Sequence, residues 1–66
     1  MAGDTKERIL EAALELFARS GYMGTSMSDI AGRLGITKGA LYKHYASKRE
    51  ILDSIVERLN QMDYER

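Results

Sequence analysis

The stretch SMSDIAGRLGITKGALYKHY, residues 26–45, decides the fold because it carries the signals of two short helices close together. Ser26 followed by Asp29 is the spacing of an N-terminal cap, and the helix that it opens is predicted to end near Leu34. Gly35 supplies the residue that closes this helix, because glycine adopts the left-handed backbone conformation without strain. The break before the next helix is therefore only about three residues long.

A second helix is predicted beyond this turn. Ile36 places an apolar residue inside the turn, Thr37 can act as the cap, and the helix runs from Lys38 to about Tyr45. Two short helices joined by a turn of three or four residues that holds a glycine are typical of the helix-turn-helix motif, whose second helix enters the major groove of DNA. An ordinary helical hairpin uses the same glycine and the same apolar residues, so the turn alone leaves both interpretations open.

The residues around the turn also meet the packing demands of a helix-turn-helix. Ala31 is small at the point where the two helices are expected to cross, which lets their backbones approach. The angle between the helices would be fixed by the apolar residues Ile30, Leu34, Ile36 and Leu41.

A longer helix is predicted before this motif, beginning at Asp4 or Thr5 and ended by Gly21. Asp4 followed by Glu7 resembles a capping box, with acidic residues where a helix N-terminus favours them. Tyr45 is expected to pack in the core beside a member of this helix's apolar stripe, Phe17. The stripe recurs at three- and four-residue spacing and consists of Ile9, Leu10, Ala13, Leu14, Leu16 and Phe17.

A fourth helix is predicted after the motif, where Ser47 and Glu50 form a capping box. Its predicted apolar face is Ile51, Leu52, Ile55, Val56, Leu59 and Met62. The fold expected is therefore all-α: a three-helix bundle with a helix-turn-helix in helices 2 and 3, followed by the start of a fourth, connecting helix.

Length and composition limit what the chain can do. Its 66 residues allow one domain, and without cysteine and with one histidine, His44, neither a disulfide nor a protein-built zinc site is expected. No apolar run approaches the roughly 20 residues that cross a bilayer, and the N-terminus lacks a signal peptide's apolar stretch. We therefore expect a cytoplasmic protein that has no cofactor and does not contact a membrane.

The net charge of zero hides a segregation along the chain. Residues 1–29 contain three basic and five acidic residues, and residues 50–66 contain two basic and five acidic ones. Between Ile30 and Arg49 there is no Asp or Glu, so all the excess positive charge lies there. A solvated face accounts for such a stretch when the charges stand alone. The five cations are Arg33, Lys38, Lys43, Lys48 and Arg49.

The outward residues of helix 3 suit contact with nucleic acid. Lys38 can donate to guanine edges or to a phosphate, and Tyr42, Lys43 and His44 can all bond phosphate oxygens. Gly39 would allow close approach to DNA, although a glycine in the first turn is also commonly tolerated. The methyl group of Ala40 fits a thymine methyl, but alanine is equally a plain helix former.

Taken together, these residues closely resemble the N-terminal DNA-binding domain of the TetR family of transcriptional regulators. The resemblance spans about residues 5–60 and is more specific than a generic helix-turn-helix. It is carried by Gly21-Tyr22, Thr25-Ser26, Asp29-Ile30-Ala31, Leu34-Gly35-Ile36, Lys38-Gly39-Ala40-Leu41-Tyr42-Lys43-His44-Tyr45 and Ser47-Lys48-Arg49-Glu50.

The resemblance implies a set of contacts with double-stranded operator DNA. At the start of helix 2, Thr25, Ser26 and Ser28 would touch the DNA backbone, with Ser28 close to a base. Base edges would be read from Thr37, Lys38, Gly39 and Ala40, and phosphates held by Tyr42, Lys43 and His44. Lys48, at the start of helix 4, would clamp a further phosphate.

The resemblance also implies a domain organisation. Residues 1–4 would form an N-terminal arm, 5–60 the DNA-binding domain, and 61–66 the end of helix 4. In the family, a larger helical domain follows that binds a small-molecule effector and forms a homodimer, and repression is the common mode. This chain stops where that domain would begin, so dimerisation and effector sensing are expected of a longer parent protein.

The same residues also bear on other classes of function. A protein-binding helical module would offer the apolar face of helix 4 to a partner helix, but it has no reason to gather cations around helix 3. An enzyme is disfavoured because the chain has no cysteine nucleophile, no evident carboxylate partner for His44 and no glycine-rich phosphate loop. RNA binding is disfavoured because the aromatic residues do not form an exposed stacking platform.

Overall fold

The computed structural model describes residues 4–64, and the side chains of residues 4–60. The described part of the chain forms helices α1 (Thr5–Ser20), α2 (Met27–Leu34), α3 (Lys38–His44) and α4 (Lys48–Tyr64), with no strand among them. The predicted all-α architecture is confirmed, and each predicted helix lies where its cap and glycine signals placed it.

The core is built from all the helices. One large side chain from each helix is completely or almost completely excluded from solvent: Ile9, Ile30, Leu41 and Ile51. Helix α1 packs against both α2 and α4, and α3 packs against α2. The short α3 is therefore held mainly through the turn that joins it to α2 and through the few side chains that it places in the core.

Helix α1 begins and ends as predicted, but its cap differs from the predicted box. The Asp4 carboxylate accepts a hydrogen bond from the Lys6 backbone N–H at 3.3 Å, and so acts as the N-cap. Glu7, predicted to complete the box, instead forms an ion pair with Arg58 of α4. Gly21 ends the helix at a positive φ of 84°.

The buried faces of α1 and α4 are narrower than predicted. Leu14 is 47% exposed, and Val56 and Leu59 of α4 are exposed to a similar extent. These three residues belong to the predicted apolar stripes but are about half exposed in the described chain. Instead, Leu14 and Leu59 line an open groove between α1 and α4. The side chain of Met62 lies outside the described residues.

The aromatic and capping contacts near α4 also correct two details. Tyr45 is buried as expected, but the ring that faces Phe17 is that of Tyr22, with 5.3 Å between ring centroids. At the start of α4 the Ser47 hydroxyl accepts from the Glu50 N–H at 3.2 Å. The Glu50 carboxylate accepts from the backbone N–H of Ala46 at 2.6 Å, one residue before the expected donor.

Candidate nucleic-acid interface

Helix α2 begins with the capping box that the sequence predicts. The Ser26 hydroxyl accepts a hydrogen bond from the Asp29 N–H at 3.1 Å, and the Asp29 carboxylate accepts from the Ser26 N–H at 2.9 Å. These bonds satisfy two backbone donors, one in the first turn of α2 and the other on the cap residue itself. Ser28 is exposed in the same turn, and its hydroxyl forms no hydrogen bond with another described residue.

The turn between α2 and α3 is fixed by backbone geometry. Gly35 has φ 75° and ψ 27°, which is the left-handed conformation expected of it. The Gly35 N–H donates to the Gly32 carbonyl at 3.2 Å, and the Ile36 N–H donates to the Ala31 carbonyl at 3.0 Å. This pair of bonds is the Schellman motif, which satisfies the last carbonyls of α2 and sets the direction in which the chain leaves.

Helix α3 is anchored along one edge. The Thr37 hydroxyl caps it by accepting from the Ala40 N–H at 3.1 Å. Leu41 and Tyr45, one helical turn apart, are buried in the core. At 100° per residue, Gly39 and Lys43 therefore lie on the side of α3 opposite Leu41. The edge that faces the core is narrow, and the rest of the helix surface is open.

The site residues predicted on α3 lie on this open surface. Tyr42 is 45% exposed, Ala40 is partly buried, and Lys38, Gly39, Lys43 and His44 are exposed. A Cβ atom added at Gly39 would meet no atom within 4 Å, so nothing inside the protein requires a glycine there. We call the exposed residues Thr37, Lys38, Gly39, Tyr42, Lys43 and His44, together with Ala40, the α3 face.

The positive charge of the basic stretch is only partly available to a ligand. The Arg33 guanidinium pairs with Glu15 of α1 at 2.7 Å, and that of Arg49 pairs with Asp53 at 3.2 Å. Lys38 and Lys43 form no ion pair with another residue of the described chain. Lys48 forms no ion pair either, but it donates hydrogen bonds to carbonyls, so among the described residues the cations of the stretch with no internal partner are Lys38 and Lys43.

Thr25 has a structural role that the sequence did not indicate. It is only 2% exposed, and its hydroxyl lies 2.9 Å from the Gly21 carbonyl and 3.2 Å from the Leu16 carbonyl, to which it donates. Its backbone N–H donates to the Tyr22 carbonyl. These bonds use the donors of Thr25 inside the protein, and its contact with the DNA backbone stays a prediction.

Lys48 is likewise committed inside the protein. Its ammonium donates to the Tyr22 carbonyl and to the Thr25 carbonyl, each at 2.7 Å, and lies 4.3 Å from the centroid of the Tyr22 ring. Two of its three N–H donors are therefore used before any phosphate approaches. The third donor is not used within the described chain, and the phosphate contact of Lys48 stays a prediction.

One cation near the α3 face was missed from the sequence. The Lys6 ammonium of α1 lies 5.6 Å from the centroid of the Tyr45 ring, at the end of α3. No local pattern signals this contact, because the two residues are far apart in the sequence.

Among the described residues, no three His, Asp or Glu side chains gather as metal ligands would. No described helix has the length and apolar content needed to cross a membrane.

Comparison with known proteins places this arrangement in a family. Residues 9–55 match the family of bacterial regulatory proteins described as the tetR family. The chain belongs to the TetR family. The uncharacterised HTH-type transcriptional regulator YerO of Bacillus subtilis (strain 168) is 43% identical over 54 residues, which are 82% of this chain and 19% of YerO.

Two further relatives of the TetR-family chain agree. The biofilm operon icaADBC HTH-type negative transcriptional regulator IcaR of Staphylococcus epidermidis is 42% identical over 52 residues, 79% of this chain and 28% of IcaR. A solved transcriptional regulator of the TetR/AcrR family from Thermobifida fusca YX-ER1 is 41% identical and superposes with a TM-score of 0.93. That match covers 97% of this chain and 35% of the T. fusca chain.

These matches confirm the predicted family and fold. The chain corresponds to the helix-turn-helix DNA-binding domain of TetR-family transcriptional regulators and spans a minor part of each relative's length. Because these relatives are transcriptional regulators, the prediction that the chain is not an enzyme is also confirmed.

Proposed function

We propose that this chain binds double-stranded operator DNA sequence-specifically, with α3 lying in the major groove of one half-site. The observation that carries the proposal is the α3 face itself. Leu41 of α3 and its C-cap Tyr45 are buried in the core, while Lys38 and Lys43 are exposed and form no ion pair within the described chain. A major groove about 12 Å wide admits a helix presented in this way.

The position of each group on α3 suggests its role. Thr37, Lys38, Gly39 and Ala40 lie in the cap and first turn, which in helix-turn-helix proteins is the part that meets base edges. Tyr42, Lys43 and His44 follow in the last turn, where their phenol, ammonium and imidazole groups can bond phosphate oxygens. At the start of α2, Thr25, Ser26 and Ser28 would contact the backbone of the same half-site. Lys48, at the start of α4, would hold a further phosphate.

For the longer protein we infer a homodimeric, effector-responsive repressor that acts on chromosomal DNA in the cytoplasm. Two heads on one dimer would bind a palindromic site, and the small-molecule effector would bind a domain outside this chain. The name of IcaR describes a negative regulator, which supports repression as the mode. The larger size of all three relatives leaves room for such a domain.

The proposal is tested by titrating a palindromic duplex, selected from a random library, at several salt concentrations. Lys43→Gln should weaken binding to all sequences alike and reduce the slope of log K against log salt by about one, because it removes one phosphate contact. Lys38→Gln should cost about 1 to 3 kcal/mol at particular base pairs.

Arg33→Gln is the matched control for charge. It changes the net charge by the same amount, but the guanidinium that it removes is already paired with Glu15, so the slope should stay as in the wild type. Salt-independent binding would contradict the phosphate contacts, and equal losses on every sequence from Lys38→Gln would contradict base reading. Amide chemical-shift changes on adding duplex should fall in residues 37–44. Changes confined to residues 51–62 on adding a protein partner would favour a protein-binding module instead.

A further inference from the structure

Lys6, in the first turn of α1, lies against the end of α3. Its ammonium is 5.6 Å from the centroid of the Tyr45 ring, and Tyr45 is the C-cap of α3. Tyr45 directly follows His44, one of the residues proposed to hold phosphates. An ammonium within about 6 Å of a ring centroid is attracted by the electrons of the ring. The contact therefore keeps the Lys6 side chain beside the last turn of α3.

The charge of Lys6 has no partner on its own helix. Lys6 is exposed and forms no ion pair with another residue of the described chain. The nearest carboxylates along the chain are engaged elsewhere: Asp4 accepts from the Lys6 backbone N–H, and Glu7 pairs with Arg58. A cation in the first turn of a helix is also disfavoured by the helix dipole. The stability of α1 therefore does not account for a lysine at this position.

A cation beside the end of α3 lies where a wall of the DNA groove is expected. With α3 in a major groove about 12 Å wide, the phosphates of both strands flank the helix. Duplex DNA carries one negative charge per roughly 1.7 Å of its axis, so a free ammonium at this edge has phosphates within its surroundings. Lys6 approaches this region from α1 and adds a charge that the α3 face does not itself carry.

We propose that the Lys6 ammonium binds a DNA phosphate beside the last turn of α3, which adds α1 to the helices that contact the DNA backbone. The inference rests on the proposed function. Tyr45 contributes to this contact from the core: it is buried, and its ring holds the ammonium beside α3 before DNA arrives. A group that is already held in place loses less conformational entropy on binding.

The direct test is the salt dependence of duplex binding by Lys6→Gln, which removes the charge and keeps an exposed polar side chain. The slope of log K against log salt should fall by about 0.9, because one phosphate contact is lost. Between about 50 and 200 mM salt, the affinity of the wild type should therefore fall roughly 3.5-fold more than that of the variant. The change should be the same on the selected duplex and on a scrambled one, since phosphates carry no sequence information. An unchanged slope would overturn the proposal.

Arg8→Gln is the matched control for charge. Arg8 is also exposed, but it lies about 200° around α1 from Lys6 and so on the opposite side of the helix. Its slope should match the wild type; an equal fall in both variants would mean that net charge sets the slope, and would contradict a contact by Lys6. Lys6→Arg keeps the charge and can stack on the Tyr45 ring, so it should restore the wild-type slope. A slope as low as that of Lys6→Gln would count against the proposal.

A purely structural role for Lys6 predicts a different result. If the ammonium only packs on Tyr45, Lys6→Gln should weaken binding through a displaced α3, with no change in the number of phosphates contacted. The double variant of Lys6→Gln and Lys43→Gln separates the two roles. Two independent phosphate contacts should lower the slope by about 1.8. A fall of about 0.9, as expected for Lys43→Gln alone, would show that Lys6 contacts no phosphate.

The Lys6 side chain can also be observed directly by nuclear magnetic resonance. On titration with the scrambled duplex, the signals of its ε-methylene group should shift in step with those of Lys43, because both ammonium groups approach phosphates. Lys6 signals that stay at their positions in the free protein while those of Lys43 move would refute the contact.

The outcomes separate this proposal from the function on which it rests. If the wild-type chain binds no duplex, the proposed function fails, and the Lys6 contact fails with it. If Lys43→Gln lowers the slope and Lys6→Gln does not, the function stands and only the Lys6 contact fails.

Discussion

Gly39 offers the sharpest test of how closely α3 approaches DNA, because stability and binding should respond to it in opposite directions. It lies in the first turn of a helix, its φ is not positive, and an added Cβ would meet no atom within 4 Å. Gly39→Ala should therefore stabilise the free protein. The full helix-interior gain is about 1 kcal/mol, and about half of that is expected in a first turn. For a domain of this size, that raises Tm by about 2 to 4 °C.

The same methyl group should weaken DNA binding. If Gly39 allows the backbone to lie against base edges, an added methyl overpacks that contact, at a cost of about 1 to 3 kcal/mol. This corresponds to a loss of about 5- to 150-fold in affinity for the selected duplex. Thermal unfolding followed by circular dichroism gives the first quantity, and fluorescence anisotropy of labelled duplex gives the second.

Gly32→Ala is the matched control. Gly32 is exposed in α2, an added Cβ there would also meet nothing within 4 Å, and the residue lies outside the proposed contacts. It should stabilise the protein by about 1 kcal/mol and leave affinity unchanged. Wild-type affinity in Gly39→Ala would refute the close approach. An equal loss in Gly32→Ala would show that the effect comes from the helices and not from the DNA contact.

Other substitutions test the framework that holds α3. Gly35→Ala should destabilise the protein by about 1 to 2 kcal/mol in urea unfolding, because alanine must take the left-handed conformation; no change would contradict the turn geometry. Leu41→Ala should cost about 2 to 5 kcal/mol, enough to leave much of the chain unfolded by circular dichroism, since the side chain is fully buried. Thr25→Val should lower the free energy of unfolding by about 1 kcal/mol through loss of its hydroxyl hydrogen bond; a loss of DNA affinity at unchanged stability would instead show that Thr25 acts mainly as a DNA contact.

The parts of the fold that the sequence predicts well are those set by neighbours three or four residues apart. The Ser26–Asp29 capping box and the left-handed Gly35 follow from such local chemistry, and both are present as predicted. Long-range contacts have no comparable signal. The Glu7 carboxylate was expected to cap its own helix, yet it pairs with Arg58, and that choice depends on how α1 and α4 pack.

The candidate site shows the same division. The exposure of Lys38 and Lys43 could be predicted from helical spacing. Leu41 and Tyr45, four residues apart, share the side that faces the core, and the two lysines fall outside that side. The burial of Thr25 and the engagement of Lys48 could not, because their partners lie in a connection whose path is set by α1 and α4. Residue type alone favours a DNA contact for a threonine and a lysine beside a helix-turn-helix, and only the three-dimensional structure shows the hydrogen bonds that these two residues make inside the protein.

This division has a consequence for how the domain can change its target. The side chains of Lys38 and Lys43 form no hydrogen bond or ion pair within the described chain, and a Cβ added at Gly39 would contact nothing. Leu41 and Tyr45, by contrast, attach α3 to the core. Substitutions at exposed positions without such partners usually change stability by less than about 0.5 kcal/mol. The α3 residues that are proposed to read DNA are thus free to vary without loss of the fold, because the attachment of α3 does not depend on them.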